Sequence, residues 1–270
     1  MEKLHHELWI VQLINAIFGP IVLKVGGLFG YHFENPAKPI PDAIVMVYLI
    51  VVLLVGLALL LRSRLSVENP GKLQIVFEDL VGGLRGMLSD IVGPKGPGFL
   101  PLVGTIGAFI LVSNLIGLIP GFMAPTSSIN VTLGCAITVW LYYHLQGVKA
   151  QGIGPYLKHF AAPPGAPMFI APIMLPIEII SHFSRVLSLS LRLFGNVFGE
   201  ELVIIILFSI VPFFAPLPVM FLGIITMPLQ AFIFVMLTMI YLGGAVAVEH
   251  HDDEHGHAHG AAHHPEHAAA

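Results

Sequence analysis

Charge is what this sequence has least of. Only 10% of its 270 residues are Asp, Glu, Lys or Arg, against 56% hydrophobic, whereas a soluble domain carries about 25% charged residues. So little charge cannot cover a water-facing surface, so a lipid bilayer must be the main solvent. Cysteine is nearly absent as well. The single Cys135 excludes an intrachain disulfide and any multi-cysteine metal centre, and in its apolar run it reads as a buried, inert thiol. No basic block is present, which excludes nucleic acid as a partner. No GxxxxGK[ST] loop is present either, so direct nucleotide binding is not expected. Met1 to His6 lacks a strongly basic region before a compact apolar stretch, so a cleavable signal peptide is not expected. No internal repeat is detectable.

What remains is long apolar segments separated by punctuation. Residues 3–18 read as a short amphipathic helix ended by the breakers Gly19 and Pro20. Ala43 to Leu61 carries no charge and is just long enough to cross the hydrocarbon core. Arg62, Arg64 and Lys72 follow, which the positive-inside rule assigns to the cytoplasm, with the N-terminus outside. Segment 70–92 mixes Glu78, Asp79, Arg85 and Asp90 with apolar residues and reads as an amphipathic helix at the cytoplasmic surface. Phe99 to Ile119 predicts a second span, and Val131 to Leu145 begins a third that returns to Lys149 and Lys158. A Pro/Gly-rich stretch, Ala161 to Pro167, leads to apolar blocks 168–211 and 219–248, separated by Pro212, Pro216 and Pro218. The expectation is an all-α membrane protein of about five membrane helices, with the C-terminus cytoplasmic. Its parts are an extracytoplasmic segment 1–40, a membrane domain 41–248 and a tail 249–270. That tail holds eight of the 14 histidines among Ala, Gly, Asp and Glu, a composition that builds no core and predicts disorder.

The chemistry concentrates between Pro176 and Leu202. On a helix, Glu178, Ser181, His182, Arg185, Ser188, Arg192, Asn196 and Glu200 fall within an arc of roughly 120°. They recur every three or four residues for about 33 Å. A charge at mid-bilayer costs at least about 2.5–3.5 kcal/mol, so this stripe must face water or protein. Arg192 is the deepest charge. Its guanidinium does not deprotonate, so it serves as a fixed positive charge that favours nearby carboxylates and blocks protons. Glu178, His182, Glu200 and Glu201 are candidate relay groups; Ser181, Ser188 and Asn196 can orient water. Glu201 lies about 100° around the helix from Glu200, so one of the two points elsewhere. The alternative reading of the stripe is a polar network between helices without a transport role. Gln230 and Thr238 are polar positions in the last apolar block, where a lone amide hydrogen-bonds to another helix. Asn114 and the SSINVTL stretch, Ser127 to Leu133, add polar groups near the outer ends of two spans, as loop or cap residues on the plainest reading.

These residues resemble subunit a of the F-type ATP synthases. The resemblance rests on LSLRLFGNVFGEEL, with PLQAFIFVMLTMIYL downstream and NLIGLIPG and NVTL upstream, and covers roughly residues 40–248. It implies that Arg192 faces the carboxylates of a rotating c-subunit ring, with Gln230 close by. It also implies that Glu178, Asn196 and Glu201 line or border two aqueous half-channels. The last two blocks would form a tilted, nearly horizontal hairpin rather than two simple crossings. Some members pair the glutamate matching Glu201 with a histidine; here that position is Gly223, while Glu200 fills a site often occupied by glycine. A second carboxylate in place of the imidazole is the exchange this implies.

The resemblance further implies a multi-pass protein of the bacterial inner membrane and a stator role beside the c ring. It would act with the peripheral-stalk b subunits and the remaining ATP synthase subunits, without catalysis, cofactor or metal of its own. Two rivals stand beside it. A secondary transporter, for a metal ion suggested by the tail histidines, would show paired repeats and a midplane site. A purely structural assembly subunit would leave Arg192 unexplained.

Overall fold

The computed structural model describes residues 9–28, 38–119, 122–156, 171–211 and 214–246. Among them the chain is all-helical, without a strand. The helices are α1 (Trp9–Leu28), α2 (Asp42–Arg64), α3 (Lys72–Val92), α4 (Leu100–Gly117), α5 (Ile129–Gln151), α6 (Ala171–Ile210) and α7 (Pro216–Val246). Short 3₁₀ turns, Gly96–Phe99 and Pro125–Ser127, precede α4 and α5. The His-rich tail, the Pro/Gly stretch 161–167 and Lys158 lie outside the described residues.

Among the described residues, four helices are long and apolar enough to cross a membrane: those within Asp42–Ser63, Gly96–Gly117, Pro172–Ile210 and Pro216–Val246. The expected third span, α5, has 23 residues, long enough to cross, but its second half carries Tyr142, Tyr143, His144, Gln146 and Lys149. Packing explains that polarity. α5 lies against α6 and α7, with Thr132, Ala136, Val139, Tyr143 and Gly147 buried, so Tyr142, Tyr143 and His144 meet protein side chains, while Lys149 is exposed. α3 forms where an amphipathic helix was expected and packs its C-terminal end against α7.

Two expectations are corrected. α1 does not stop at Gly19 and Pro20 but continues to Leu28, with Pro20 inside it. A proline removes one backbone donor, and helices in apolar surroundings tolerate this because leaving the helix would strand more backbone groups. The chain is also clamped there: Asn15 Nδ2 donates to Ile40 O at 3.2 Å, and Ile40 N donates to Asn15 Oδ1 at 3.0 Å. The second correction concerns upright crossings. α6 has 40 residues and α7 has 31, about 60 Å and 46 Å of helix at 1.5 Å per residue. Neither fits upright in a hydrocarbon core of about 30 Å. They pair as a hairpin across the short link after Ile210, and helices of this length call for tilt rather than an upright crossing.

The core joins the end of α3 to α4, α5, α6 and α7. Tyr143, Phe234, Leu88, Ile110, Leu193, Met239 and Leu242 are fully buried within it. Small residues set the close approaches, as they do between membrane helices. A Cβ on Gly107 of α4 would stand 2.7 Å from Val235 of α7, and one on Gly96 would overlap the Leu88 carbonyl oxygen. α2 is packed only near its start, through Val45, Met46 and Ile50; Val51, Val52, Leu53, Val55, Leu59 and Leu60 are exposed.

Candidate functional site

α6 presents two different faces. His182, Val186, Leu189, Ser190, Leu193 and Val197 are buried against the rest of the protein, a spacing of three to four residues that marks the inward side. Arg192 stands roughly 100° around the helix from the middle of that face. It is exposed, as are Ser188, Gly195 and Asn196. Among the described residues no hydrogen bond or ion pair engages the Arg192 guanidinium. Cβ atoms built on Gly195 and Gly199 meet nothing within 4 Å, so the surface beside the arginine is low and open. The polar stripe therefore splits lengthwise: one edge, with His182 and Glu200, turns into the protein, and the other, with Ser188 and Arg192, turns away from it.

Toward the start of α6, the inward edge builds a cluster of aromatic and ionisable groups. His182 Nε2 lies 3.1 Å from Glu178 Oε1, and His182 Nδ1 lies 2.8 Å from Tyr143 Oη on α5. The His144 ring centroid lies 4.8 Å from that of His182, tilted by 45°, and 4.5 Å from that of Trp140, edge-on, and its Nδ1 is 2.6 Å from Tyr156 Oη. Arg185 sits 5.5 Å above the Tyr241 ring of α7, a cation–π contact.

Beyond Arg192 a second polar region forms on the other side. Asn196 Nδ2 donates to Gln230 Oε1 at 2.7 Å, so the buried Gln230 joins α7 to α6 one turn from Arg192. Thr226 Oγ1 donates to Glu200 Oε2 at 3.2 Å, while Glu200 Oε1 lies over Gly223. Glu201 points elsewhere, as the helical angle required: its Oε1 accepts the Ala124 backbone N–H at 3.1 Å, ahead of α5. Asn114 is not a loop or cap residue. It is fully buried in α4, accepting from Thr126 Oγ1 at 2.7 Å and donating to Met227 O at 3.4 Å. Thr132 and Ser190 share a buried hydrogen bond of 3.1 Å between α5 and α6. Thr238 donates to Phe234 O within its own helix. Cys135 is half-buried.

Of the sequence candidates, the structure joins Glu178 to His182 and Asn196 to Gln230, and holds Glu200 and Glu201 on separate partners. Arg192 and Ser188 stay apart on the open face. Sequence reasoning missed Tyr143, His144, Tyr156 and Thr226. The signal for the first two was present in LYYHLQG, a polar group inside an otherwise apolar helix. Among the described residues no group of three or more His, Cys, Asp or Glu is placed to hold a metal ion.

Residues 43–243 match the family model described as ATP synthase A chain. ATP synthase subunit a 3 of Pelobacter propionicus is 49% identical over 209 residues, covering 77% of this chain and 89% of that protein. ATP synthase subunit a of Geotalea daltonii is 41% identical over 245 residues, covering 91% of this chain and 99% of that protein. ATP synthase subunit a of Geobacter sulfurreducens is 40% identical over 245 residues, with the same coverages.

Proposed function

The chain belongs to the ATP synthase A chain family, hence is a non-catalytic, proton-translocating, multi-pass membrane subunit of an ATP synthase, and on that premise we propose that Arg192 separates two half-channels facing a ring of c subunits. One observation carries the proposal. A guanidinium on a helix of a membrane protein stands on the outward face, without an ion pair or hydrogen bond among the described residues, beside the small residues Ser188, Gly195 and Gly199. A charge at that depth is costly against lipid, so it calls for an anionic protein partner that comes close. A carboxylate carried past on a rotating ring meets both requirements.

Two polar regions supply the access routes. The one around Glu178 and His182 lies about 15–21 Å before Arg192 along the helix, and the one around Asn196, Glu200 and Glu201 extends up to about 14 Å beyond it, at 1.5 Å per residue. In the synthesis direction, a proton enters through Glu201 and Glu200 and neutralises a ring carboxylate, which then rotates into lipid. After nearly a full turn the carboxylate reaches the Glu178 side and releases its proton. Arg192 attracts the ionised carboxylate and repels protons, so leakage without rotation is suppressed. Glu200 takes the place of the imidazole that Gly223 cannot supply, and Gln230, through Asn196, holds α7 beside the arginine. Ser188 orients water on the open face.

Each charge crossing 100 mV releases about 2.3 kcal/mol, so several protons accompany each ATP made elsewhere in the complex. The basic residues Arg62, Arg64, Lys72 and Lys149 assign their ends of α2, α3 and α5 to the cytoplasm, with the N-terminus outside and the C-terminus inside a bacterial inner membrane. Lipid and the b subunits of the peripheral stalk take the remaining apolar exterior, including α2 from Val51 to Leu60.

The test is ATP-driven proton pumping in vesicles carrying Arg192→Ala, with assembled complex quantified in parallel. Lost pumping with normal assembly is the expected result. Normal pumping would sink the separator role and return the transporter reading to consideration.

A further inference from the structure

The ionisable cluster near the start of α6 contains a line of three groups rather than a single pair. Tyr143 Oη lies 2.8 Å from His182 Nδ1, and His182 Nε2 lies 3.1 Å from Glu178 Oε1. Both imidazole nitrogens are therefore engaged by oxygens, one from α5 and one from the preceding turn of α6. The His182 side chain is 11% exposed and that of Glu178 is 34% exposed, so the line runs from a nearly enclosed ring to a more open carboxylate. Two nitrogens held by different partners fix the tautomer and the ring plane.

We infer that His182 is the proton-transfer group of this pathway and that Tyr143 is its positioning residue, an inference that rests on the two-channel reading above. With Tyr143 Oη accepting Nδ1–H, Nε2 is the nitrogen that exchanges a proton with Glu178. In the synthesis direction, a hydronium on the ring side carries in the proton given up by the ring carboxylate: its O–H bond breaks as Nε2–H forms, leaving neutral water and an imidazolium beside a carboxylate. The Nε2–H bond then breaks as an O–H bond forms on Glu178 Oε1, which restores neutral imidazole. Glu178 finally releases that proton to water at its open end and returns to carboxylate. One proton passes and no charge is left behind. Pumping runs the same steps in reverse.

The surrounding groups suit a transient imidazolium rather than a resting one. Against His182 stand Tyr143 and His144 from α5 and Glu178 from the preceding turn of α6; beyond them Tyr156 meets His144, and Arg185 of α6 lies over the Tyr241 ring of α7. Arg185 opposes a second lasting positive charge, and Glu178 is the one acid among the six. A group that held its proton permanently would stop the relay.

The experiment uses the intact complex in vesicles. ATP-driven pumping is measured against pH on the side that Glu178 faces, per assembled complex, for the native chain, Tyr143→Phe, His182→Asn and His182→Ala, with Arg192→Ala as a parallel control. Tyr143→Phe keeps the ring stacking and should lower pumping about fivefold to tenfold, the size of one lost hydrogen bond, while displacing the pH midpoint. His182→Asn should lower it further and remove that pH limb, and added imidazole should raise pumping in His182→Ala. A purely structural role predicts neither the pH displacement nor the chemical rescue. Native pumping with an unmoved midpoint in both Tyr143→Phe and His182→Asn would overturn the inference. If Arg192→Ala still abolishes pumping in the same preparations, the relay alone falls and the separator role stands.

Discussion

Glu200 Oε1 occupies the space that a side chain at position 223 would need. The contact ties α6 to α7 about two helical turns beyond Arg192, with Thr226 holding the other carboxylate oxygen at 3.2 Å. Glycine at 223 and glutamate at 200 are therefore one structural choice rather than two. A bulkier residue at 223 requires the carboxylate to leave, and a smaller residue at 200 opens a space beside Leu118.

The interlock predicts non-additive mutations. In Gly223→Ala the new methyl overlaps Glu200 Oε1 and stands 2.6 Å from Leu118 Cδ2; overpacking of this kind costs about 1–3 kcal/mol. Introduced into a Glu200→Ala background, the same change should cost clearly less. Thermal denaturation of the assembled complex in a double-mutant cycle measures the difference. Equal penalties in the two backgrounds would show that Leu118 alone resists the methyl.

The 2.7 Å bond between Asn196 Nδ2 and Gln230 Oε1 should contribute little to stability and more to function. Hydrogen bonds between membrane helices average about 0.6 kcal/mol, with a maximum near 1.7 kcal/mol. A cycle of Asn196→Ala and Gln230→Ala should thus give a small coupling in thermal stability, while pumping per assembled complex drops in both single variants. A coupling well above that range would mean that the pair holds the hairpin together rather than aligning α7 with Arg192.

The sequence made some of this legible and not the rest, for physical reasons. Charge-free runs long enough to span identified α2 and α4 directly, and the three-to-four spacing from Glu178 to Glu200 located one polar stripe. Periodicity alone could not say which edge of that stripe turns inward, because this depends on where α5 and α7 dock. Hence His182 and Arg192, both members of the stripe, lie one buried and one exposed. Breaker residues misled at Gly19 and Pro20, since a helix clamped by Asn15 through Ile40 loses less by continuing than by stopping. Tyr143 and Asn114 were obscured for a related reason. Their partners, His182 and Thr126, come from different elements, and contacts across the fold leave no local pattern.

Asn114 and Thr126 should behave as a matched buried pair. Removing one partner strands the other and costs about 1–3 kcal/mol, whereas replacing both with apolar groups of similar shape is close to neutral. Asn114→Leu and Thr126→Val should each destabilise the complex, and the double variant should be less destabilised than the sum. Additive losses would point instead to the 3.4 Å bond from Asn114 Nδ2 to Met227 O as the dominant contact.

Glu201 offers the sharpest separation of structure from chemistry, because its Oε1 both accepts the Ala124 backbone N–H at 3.1 Å and belongs to a group that titrates. Glutamine keeps a carbonyl oxygen at that place and cannot ionise, while leucine removes both properties. Under the proposed function, Glu201→Gln assembles with near-native thermal stability and yet loses ATP-driven pumping. Glu201→Leu loses pumping and also stability, since the Ala124 N–H is left without this acceptor, at about 1–3 kcal/mol if it stays buried. Dye-monitored acidification of vesicles and thermal denaturation of the same complexes read the two properties separately. Native pumping in Glu201→Gln, with loss confined to Glu201→Leu, would assign Glu201 to holding the turn before α5 and leave Glu200 as the proton-carrying carboxylate of that side.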